Sequence, residues 1–490
     1  LNRVKDPNMI TALAGKAAGV QISKNSLGPG ASAKVSIRGI RSVVSDNQPL
    51  YVIDGVPMLN STSEQAYSAI GGTANAGNRD GGDGISNLNP EDVESITILK
   101  GAPAAALYGS QAANGVILIT TKKGSESGVH KVSFSTSLTV DNAFSLPEMQ
   151  NRYGVSDDVD SWGAKAELPD QDNLKNFFRT GFTSITSISV SHGNEKLQNY
   201  FSYANTSGRG IIDKNQLSKH NLNFRETSSL FNGRLKLDGS VNVMRQVVKN
   251  KPVTGGFYMN PLVGLYRFPR GEDLSYYKDH FEVYDEDRKL NVQNWHTSFE
   301  DFEQNPYWIV NRIQSKDTRS RIITSLSARV KVNDWLDIQA RGTMDYANDK
   351  LRQKFYASTA PALAGVNGRY IEMDYQEVLL YGDVMATAKK KWGDISLDAA
   401  MGASINDKIV NSVRYDSKTA SLKFPNVFNL ANIIMNGSAS LDQKIDAHRQ
   451  LQSVFATVQV GYRESFFVDV TARNDWASTL AYTRHERTGF

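Results

Sequence analysis

The 490-residue chain contains no cysteine, which excludes disulfide bonds, thiolate metal sites and cysteine nucleophiles together. It also contains no apolar run long enough for a membrane-spanning helix, which needs about 20 residues. A helical membrane protein is therefore excluded, and if the chain crosses a membrane, it must cross with strands. The charges nearly balance, with 55 Lys and Arg against 51 Asp and Glu, so no basic surface for nucleic acid is indicated.

Signals of secretion and of enzymatic chemistry are also scarce. The chain opens Leu1-Asn2-Arg3-Val4 without the features of a signal peptide, as expected of a cytosolic protein or of a processed or truncated one. The seven histidines show no metal-ligand spacing, and Gly15-Lys16 lacks the remaining residues of a phosphate-binding loop. No nucleophile elbow is found. We predict a protein that is not an enzyme and that holds no metal and no cofactor.

The first 124 residues carry the pattern of a small α/β domain. Apolar residues between Met9 and Ala18 recur every three or four positions, which predicts a short helix ended by Gly19. Residues 58–89 lack periodicity and are rich in glycine, which predicts a flexible loop that faces a ligand. Short strands are predicted at 20–22, 35–38, 50–53, 93–99 and 115–121, with a second helix at 102–108.

From residue 125 onward, apolar and polar residues alternate in eleven segments. Connections between these segments are alternately tight and long. The predicted strands lie near 131–140, 184–192, 198–206, 219–228, 234–246, 320–332, 335–347, 380–391, 394–406, 450–462 and 466–475.

Alternation of tight turns with long loops is typical of a transmembrane β-barrel, whose turns are short on the periplasmic side. A soluble all-β protein would also show alternating strands, but it gives no reason for turn lengths to sort by side, and such long loops are uncommon in compact domains. Eleven strands in lipid would leave two open edges of unpaired backbone groups. We therefore expect further strands and a truncated chain.

The first 124 residues also contain a series of ordered sequence blocks. The blocks are Gly15-Lys16-Ala17-Ala18-Gly19-Val20-Gln21-Ile22, Ser36-Ile37-Arg38-Gly39, Pro49-Leu50-Tyr51-Val52-Ile53-Asp54-Gly55-Val56-Pro57, Asn89-Pro90-Glu91-Asp92-Val93-Glu94-Ser95-Ile96 and Leu99-Lys100-Gly101-Ala102-Pro103. Together they resemble the plug domain of SusC/RagA-type TonB-dependent transporters. Farther on, Arg473-Asn474-Asp475 resembles an element of the same family, although the Trp476 that follows departs from its commonest continuation.

This resemblance implies an α/β plug domain over 1–124 and the N-terminal part of an antiparallel transmembrane barrel over 125–490. The eleven strands would be half of a 22-stranded barrel in the outer membrane of a Gram-negative bacterium. The implied function is nutrient uptake of the Bacteroidota type, in which an oligosaccharide or a peptide is imported. The implied partners are a SusD-like surface lipoprotein, outer-membrane lipid, and TonB, which would act through a segment absent from this chain. The alternative is a structural subunit of a larger outer-membrane assembly, and a dimer stays open.

Candidate site residues fall into two groups. The connection over 247–319 is dense in aromatic residues that could stack on sugar rings or grip a peptide; the alternative is that they pack the loop onto itself or onto the lipoprotein. Asp80 and Asp83 could bind ligand, but a solvated turn is favoured there. Arg38, Gly39, Asp54 and Gly55 are candidates for structural or coupling roles in the plug. The aromatic candidates for substrate binding are Tyr258, Tyr266, Tyr276, Tyr277, Trp295 and Trp308.

Overall fold

The computed structural model describes most of the chain. The described residues are 6–24, 28–40, 47–60, 62–63, 79–100, 108–156, 161–169, 171–253, 255, 257–297, 303–420, 422–437 and 440–480. Within these ranges, no helix combines the length and the apolar character required to cross a membrane.

The N-terminal unit contains two small sheets. β1 and β2 form an antiparallel hairpin, and the second sheet has the order β4-β3-β6-β5, in which only β3 and β6 run parallel. Short 3-10 helices lie at Met9–Leu13, Ile85–Asn87, Pro90–Asp92 and Gly109–Ala112. The strands are β1 (Val20–Lys24), β2 (Ala33–Ile37), β3 (Leu50–Ile53), β4 (Val56–Pro57), β5 (Val93–Leu99) and β6 (Val116–Thr121).

An apolar core joins the two small sheets. Val35 and Ile117 are fully buried in it, and Met9 and Ile10 of the first 3-10 helix pack against them. The predicted helix before Gly19 is wrong beyond Leu13, because Gly15 and Gly19 both adopt positive φ angles that end regular helix. The predicted helix over 102–108 lies almost entirely outside the described residues.

In the described part of the chain after residue 124, the main element is one antiparallel sheet of eleven strands. In spatial order its strands are β7 (Lys131–Asp141), β8 (Gly181–Gly193), β9 (Leu197–Arg209), β10 (Gln216–Leu230), β11 (Leu235–Lys249), β14 (Ile313–Lys331), β15 (Leu336–Phe355), β16 (Arg369–Trp392), β17 (Ile395–Asp416), β18 (Leu441–Tyr462) and β19 (Phe466–Ala477). All eleven predicted strands are confirmed, and so are the five tight turns. Several strands extend well beyond their predicted ends on the side of the long connections, as β16 does by starting at Arg369 rather than near 380. The segment added there carries charges on both faces, so alternation fails while the backbone ladder continues.

The two faces of the large sheet have opposite character. On β10, the apolar side chains of Leu222 and Phe224 are 42% and 43% exposed, whereas Asn221 and Arg225 are only 2% and 5% exposed. A soluble sheet buries its apolar face and wets its polar face. Here the polar face is covered by the N-terminal unit and the apolar face is open, which is the arrangement of a strand that faces lipid. We call the polar face the inner wall.

The long connections on one side of the sheet form an outer layer. It contains α1 (Asn173–Phe177), α2 (Pro261–Arg267), α3 (Ser275–Asp279), α4 (Pro306–Arg312) and the hairpin of β12 (Glu282–Asp285) and β13 (Leu290–Gln293). Asn260 and Asn305 cap α2 and α4, each accepting a backbone N–H two residues on, and each is followed by proline at the first helical position.

Candidate functional site

The N-terminal unit is attached to the inner wall by a deeply buried ion pair. Arg321 on β14 is fully buried, and its guanidinium binds both oxygens of Asp345 on β15 at 2.8 and 2.6 Å. The same guanidinium donates 2.7 Å hydrogen bonds to the carbonyls of Gly84 and Leu59. Asp345 in turn accepts the N–H of Leu59 at 2.9 Å. One wall pair thus satisfies three backbone groups of the N-terminal unit.

Two wall lysines make similar contacts nearer the outer layer. Lys219 on β10 donates to the carbonyls of Pro7 at 3.1 Å and Ser86 at 2.8 Å. Lys251 donates to the carbonyl of Asp80 at 2.8 Å. These ammonium groups add charged hydrogen bonds to carbonyl oxygens at a contact where Ile323 of β14 also packs against the apolar core of the N-terminal unit.

The predicted coupling residues Asp54 and Gly55 form the turn between β3 and β4, and this turn sits against two wall arginines. Asp54 binds Thr121 at 2.6 Å inside the N-terminal unit and Arg225 at 3.0 Å on the wall. A Cβ on Gly55, whose φ is +86°, would lie 2.1 Å from Nη1 of Arg341. The turn therefore favours glycine by its conformation, and the end of the Arg341 side chain would have to shift to admit any other residue.

The other two coupling candidates, Arg38 and Gly39, lie apart from that turn. They follow β2, and both are exposed. The N–H of Arg38 donates to the carbonyl of Gly19 at 2.8 Å, and Arg38 has a φ of +60°. The structure does not bring them together with Asp54, and their coupling role stays a prediction.

Asp80 and Asp83 are buried, so the expected solvated turn is wrong, as is a flexible loop at this end of residues 58–89. Asp80 accepts hydrogen bonds from the N–H and hydroxyl of Ser32 and from the N–H of Gly82. Asp83 accepts from Asn8 and from the N–H of Ala33, both at 2.7 Å. The physical reason is that these carboxylates replace missing backbone partners where the β1–β2 hairpin meets the chain before the second 3-10 helix.

The two carboxyls have opposite electrostatic environments. Burial raises the pKa of Asp83, and its hydrogen bonds do not offset this. Burial acts in the same direction on Asp80, but the charge of Lys251 and the hydrogen bonds from Ser32 and Gly82 outweigh it and lower the pKa. Both side chains stabilise the fold, and neither presents a free surface to a ligand.

Two of the aromatic candidates form a compact cluster in the outer layer. Tyr277 and Trp295 meet edge to face with 5.2 Å between ring centroids, and both pack against the buried Phe268. Trp295 donates from its indole to Glu303 at 3.2 Å. Burial raises the pKa of Tyr277. These residues hold the outer layer together, as the alternative interpretation expects.

The remaining aromatic candidates divide by exposure. Trp308 is 1% exposed and donates to the hydroxyl of Thr359 at 3.1 Å. Tyr258 is half-buried against a second apolar cluster. Tyr266 and Tyr276 are exposed, and Tyr276 stacks on His280 with 4.8 Å between centroids. Of the six aromatic candidates, only Tyr266 and Tyr276 offer an open ring.

Sequence reasoning missed the wall cations that hold the N-terminal unit. Arg321 and Lys219 both lie at polar positions of alternating strands. A long charged residue at such a position is a signal that could have been used, because the inner face is the only place for it other than lipid. Which carbonyls each cation binds could not be foreseen, since the partners lie more than 130 residues away in sequence.

Comparison with known proteins is consistent with this architecture. Residues 1–116 match the family model of the TonB-dependent Receptor Plug Domain. The TonB-dependent receptor SusC of Bacteroides thetaiotaomicron is 34% identical over 243 residues, covering 47% of this chain and 22% of the relative. The TonB-dependent receptor P3 of Formosa agariphila is 25% identical over 496 residues, covering 96% of this chain and 43% of the relative. The chain therefore spans less than half the length of these curated relatives.

A solved structure shares the fold over nearly the whole chain. The RagAB peptide importer in its open-open state superposes with a TM-score of 0.74 at 20% identity, covering 98% of this chain and 54% of that one. The relatives named here are receptors and importers, not enzymes. The resemblance found in the sequence is confirmed: residues 1–116 match the plug-domain model, and the chain is similar in sequence to SusC-type TonB-dependent receptors and in fold to the RagAB importer.

Proposed function

We propose that the chain belongs to an outer-membrane transporter of a Gram-negative bacterium that imports an oligosaccharide or a peptide with energy from TonB. A SusD-like surface lipoprotein would cover the outer layer, and the plug would block the pore until ligand arrives. The domain limits in this proposal are a plug over residues 1–124 and barrel wall over 125–490.

The observation that carries the proposal is the chemistry of the contact between plug and inner wall. The plug has its own apolar core around Val35 and Ile117, whereas it meets the wall through cations such as Arg321 and Lys219. Hydrogen bonds of this kind exchange with water at a small net free energy, while separation of an apolar core would expose hydrocarbon. A plug held in this way can move as a unit without unfolding.

Substrate capture is proposed for the outer layer. Tyr266 and Tyr276 present open rings there, which suits stacking on a sugar ring or an apolar peptide side chain. The buried Tyr277, Trp295 and Trp308 would position these rings instead of touching ligand. Asp54 and Gly55, at the turn facing Arg225 and Arg341, would transmit plug movement to the wall.

Cross-linking tests whether the plug must move. Because the chain has no cysteine, an Asn87→Cys, Asn221→Cys double variant of the full-length protein places one thiol on the plug and one on the wall, where Asn221 donates to the carbonyl of Asn87. Oxidation of this buried thiol pair to a disulfide should abolish uptake of fluorescent peptides or oligosaccharides by cells, and reduction should restore it. The matched control is Ser240→Cys, Ser325→Cys, whose hydroxyls are 2.8 Å apart within the wall, and its uptake should persist.

Deletion of TonB distinguishes transport from the alternative of a structural subunit. Import predicts that deletion of TonB, or of the gene for this protein, removes uptake of the same substrate. If uptake is unchanged in both strains and after cross-linking, the import proposal fails and a structural role in a larger assembly is favoured.

A further inference from the structure

A cavity of about 440 Å³ opens in the outer layer between the first and third long connections of the sheet. Its walls come from residues 146–151, Pro169, residues 171–175 and the segment Pro269-Arg270-Gly271. The volume is in the range of small-molecule binding sites. It borders the aromatic cluster, because Leu174 lines the cavity and also packs against the cluster that contains Phe268, Tyr277 and Trp295.

Polar cross-links hold the walls of this cavity in place. Asn173 donates to the carbonyl of Glu272 at 2.8 Å and accepts the N–H of Leu274 at 3.1 Å, which joins the first connection to the third. The N–H of Arg270 donates to the hydroxyl of Ser161 at 3.1 Å. These hydrogen bonds join the segments that line the cavity, so its shape is preorganised in the absence of ligand.

Arg270 is the unusual group in the wall of the cavity. It is half-buried, and its guanidinium donates through Nη2 alone, to the carbonyls of Tyr266 and Phe268. Among the described residues, Arg270 has no carboxylate partner and its Nε and Nη1 groups have no hydrogen-bond acceptor. Burial lowers the pKa of this guanidinium, and no carboxylate in the described ranges opposes the change.

A planar carboxylate is the group that matches the remaining N–H donors of this half-buried guanidinium. We propose that this cavity is a binding subsite for a carboxylate group of the transported substrate, with Arg270 as the residue that reads the charge. The subsite rests on the proposed function for its place in a transport cycle. The binding step itself needs no transport.

The other charged side chains that the structure describes around the cavity make no ion pair with Arg270. Lys175 of α1 forms an ion pair with Asp172, the residue before this helix, so their opposite charges offset each other. Glu148 also lines the cavity but makes no ion pair with Arg270. The carboxylate ligand could come from two sources, the C-terminus or acidic side chain of a peptide, or the uronic acid of an oligosaccharide.

Binding to the purified full-length protein in detergent tests the proposal and separates these sources. The peptide probes are trialanine with a free C-terminus and the same peptide with a C-terminal amide. The sugar probes are trigalacturonate and its methyl ester. In calorimetry, the charged member of at least one pair should bind about tenfold tighter or more than its neutral partner, because a charge-assisted bidentate bond is lost in the neutral form.

Variants assign that preference to Arg270. Arg270→Gln should weaken binding of the charged probe about tenfold to a hundredfold and leave binding of the neutral probe unchanged. Arg270→Lys should bind the charged probe with an intermediate affinity, because lysine keeps the positive charge but cannot form the bidentate hydrogen bond of a guanidinium. Glu148→Gln is the matched control in the same cavity and should bind the charged probe as well as the wild type or better.

The residues Asp157, Asp158 and Asp160 precede Ser161 in sequence and lie outside the described residues. Tighter binding of the charged probe after replacement of all three by Asn, lost again with Arg270→Gln, would support a site for which internal carboxylates compete.

The subsite is refuted if the wild type and this triple variant bind charged and neutral probes equally, or if Arg270→Gln binds the charged probe like the wild type. Either result would leave import itself untouched, since uptake in cells is measured separately. Conversely, charge-selective binding without uptake would retain the subsite and refute only import.

Discussion

The contact between plug and inner wall and the core of the outer layer are assembled from different chemistry. At the plug, Arg321 and Asp345 join two strands and three backbone groups through charged hydrogen bonds. In the outer layer, Phe268, Tyr277 and Trp295 pack ring against ring. The first contact depends on satisfied charges, and the second on buried apolar area.

This difference predicts how each region responds to damage. Removing one partner of a buried ion pair leaves an uncompensated charge. Truncating an aromatic side chain by a few atoms leaves only a small cavity. A polar contact can be exchanged for water, so the plug can leave the wall. Separating an aromatic core exposes apolar area to water and costs more free energy. Such a core suits a layer whose binding surface has to stay rigid.

The largest effect is expected from Arg321→Ala. Asp345 would remain buried without its counter-charge, and three backbone groups of the plug contact would be disturbed, so the plug should lose about 3–5 kcal/mol of stability. Hydrogen exchange of the amides of Val35 and Ile117 in the full-length protein measures this loss. The control Arg329→Ala removes an exposed wall arginine, paired with Asp337, and should cost under about 1 kcal/mol.

A double variant sharpens the same point. Arg321→Met with Asp345→Leu removes both charges and should recover a large part of the lost stability, because no buried charge is left unpaired. Equal losses for Arg321→Ala and Arg329→Ala would contradict the view that buried charge governs the plug contact.

A smaller effect, about 1–3 kcal/mol at pH 7, is expected from Asp80→Asn, which loses charge-assisted hydrogen bonds. The folded-state pKa of Asp80 lies below its unfolded value near 3.8, so its stabilisation is complete above that value and disappears as pH falls through the folded pKa. Thermal unfolding followed at pH 7 and pH 3 should show the gap between wild type and variant shrinking at the lower pH. A gap that widens there would reverse the sign of this linkage.

In the outer layer, Trp308→Phe should cost about 1–2 kcal/mol, since it removes the hydrogen bond to Thr359 and part of a buried ring. The effect is read from protease resistance of the outer layer in the intact protein. Trp162→Phe, at an indole that is 71% exposed, is the comparison and should change stability by less than about 0.5 kcal/mol. Similar losses for both would contradict a buried structural role for Trp308.

The smallest stability effect is expected from Tyr276→Ala, within about 0.5 kcal/mol, because the ring is exposed. The same change should weaken substrate binding by about twofold to tenfold if the ring stacks on ligand. Tyr277→Ala should instead lower the stability of the outer layer clearly, and any loss of substrate binding should accompany that loss of stability. Unchanged binding in Tyr276→Ala would remove this tyrosine from the proposed capture surface.

The sequence was a good guide wherever period-two alternation decided the structure. The tight turn at Trp392-Gly393 and the strands on either side of it follow from alternation alone. It was a poor guide before Gly19, where helical spacing was overridden by glycines with positive φ, and at Asp80, where a polar, glycine-rich stretch proved to be buried. Composition predicts exposure only when no other part of the chain covers the segment.

What the sequence determined by itself is therefore the order of strands and turns, because alternation depends on residues that are neighbours in the chain. The plug was identified by the resemblance of its sequence blocks to a known family. The tertiary structure alone decided which charges face one another. Arg321 meets Gly84 across a separation of 237 residues, and Arg270 lacks a counter-charge in the described chain only because of how two distant connections fold together. Ion pairing depends on distances in space, and local sequence patterns carry no information about contacts between residues that are far apart in the sequence.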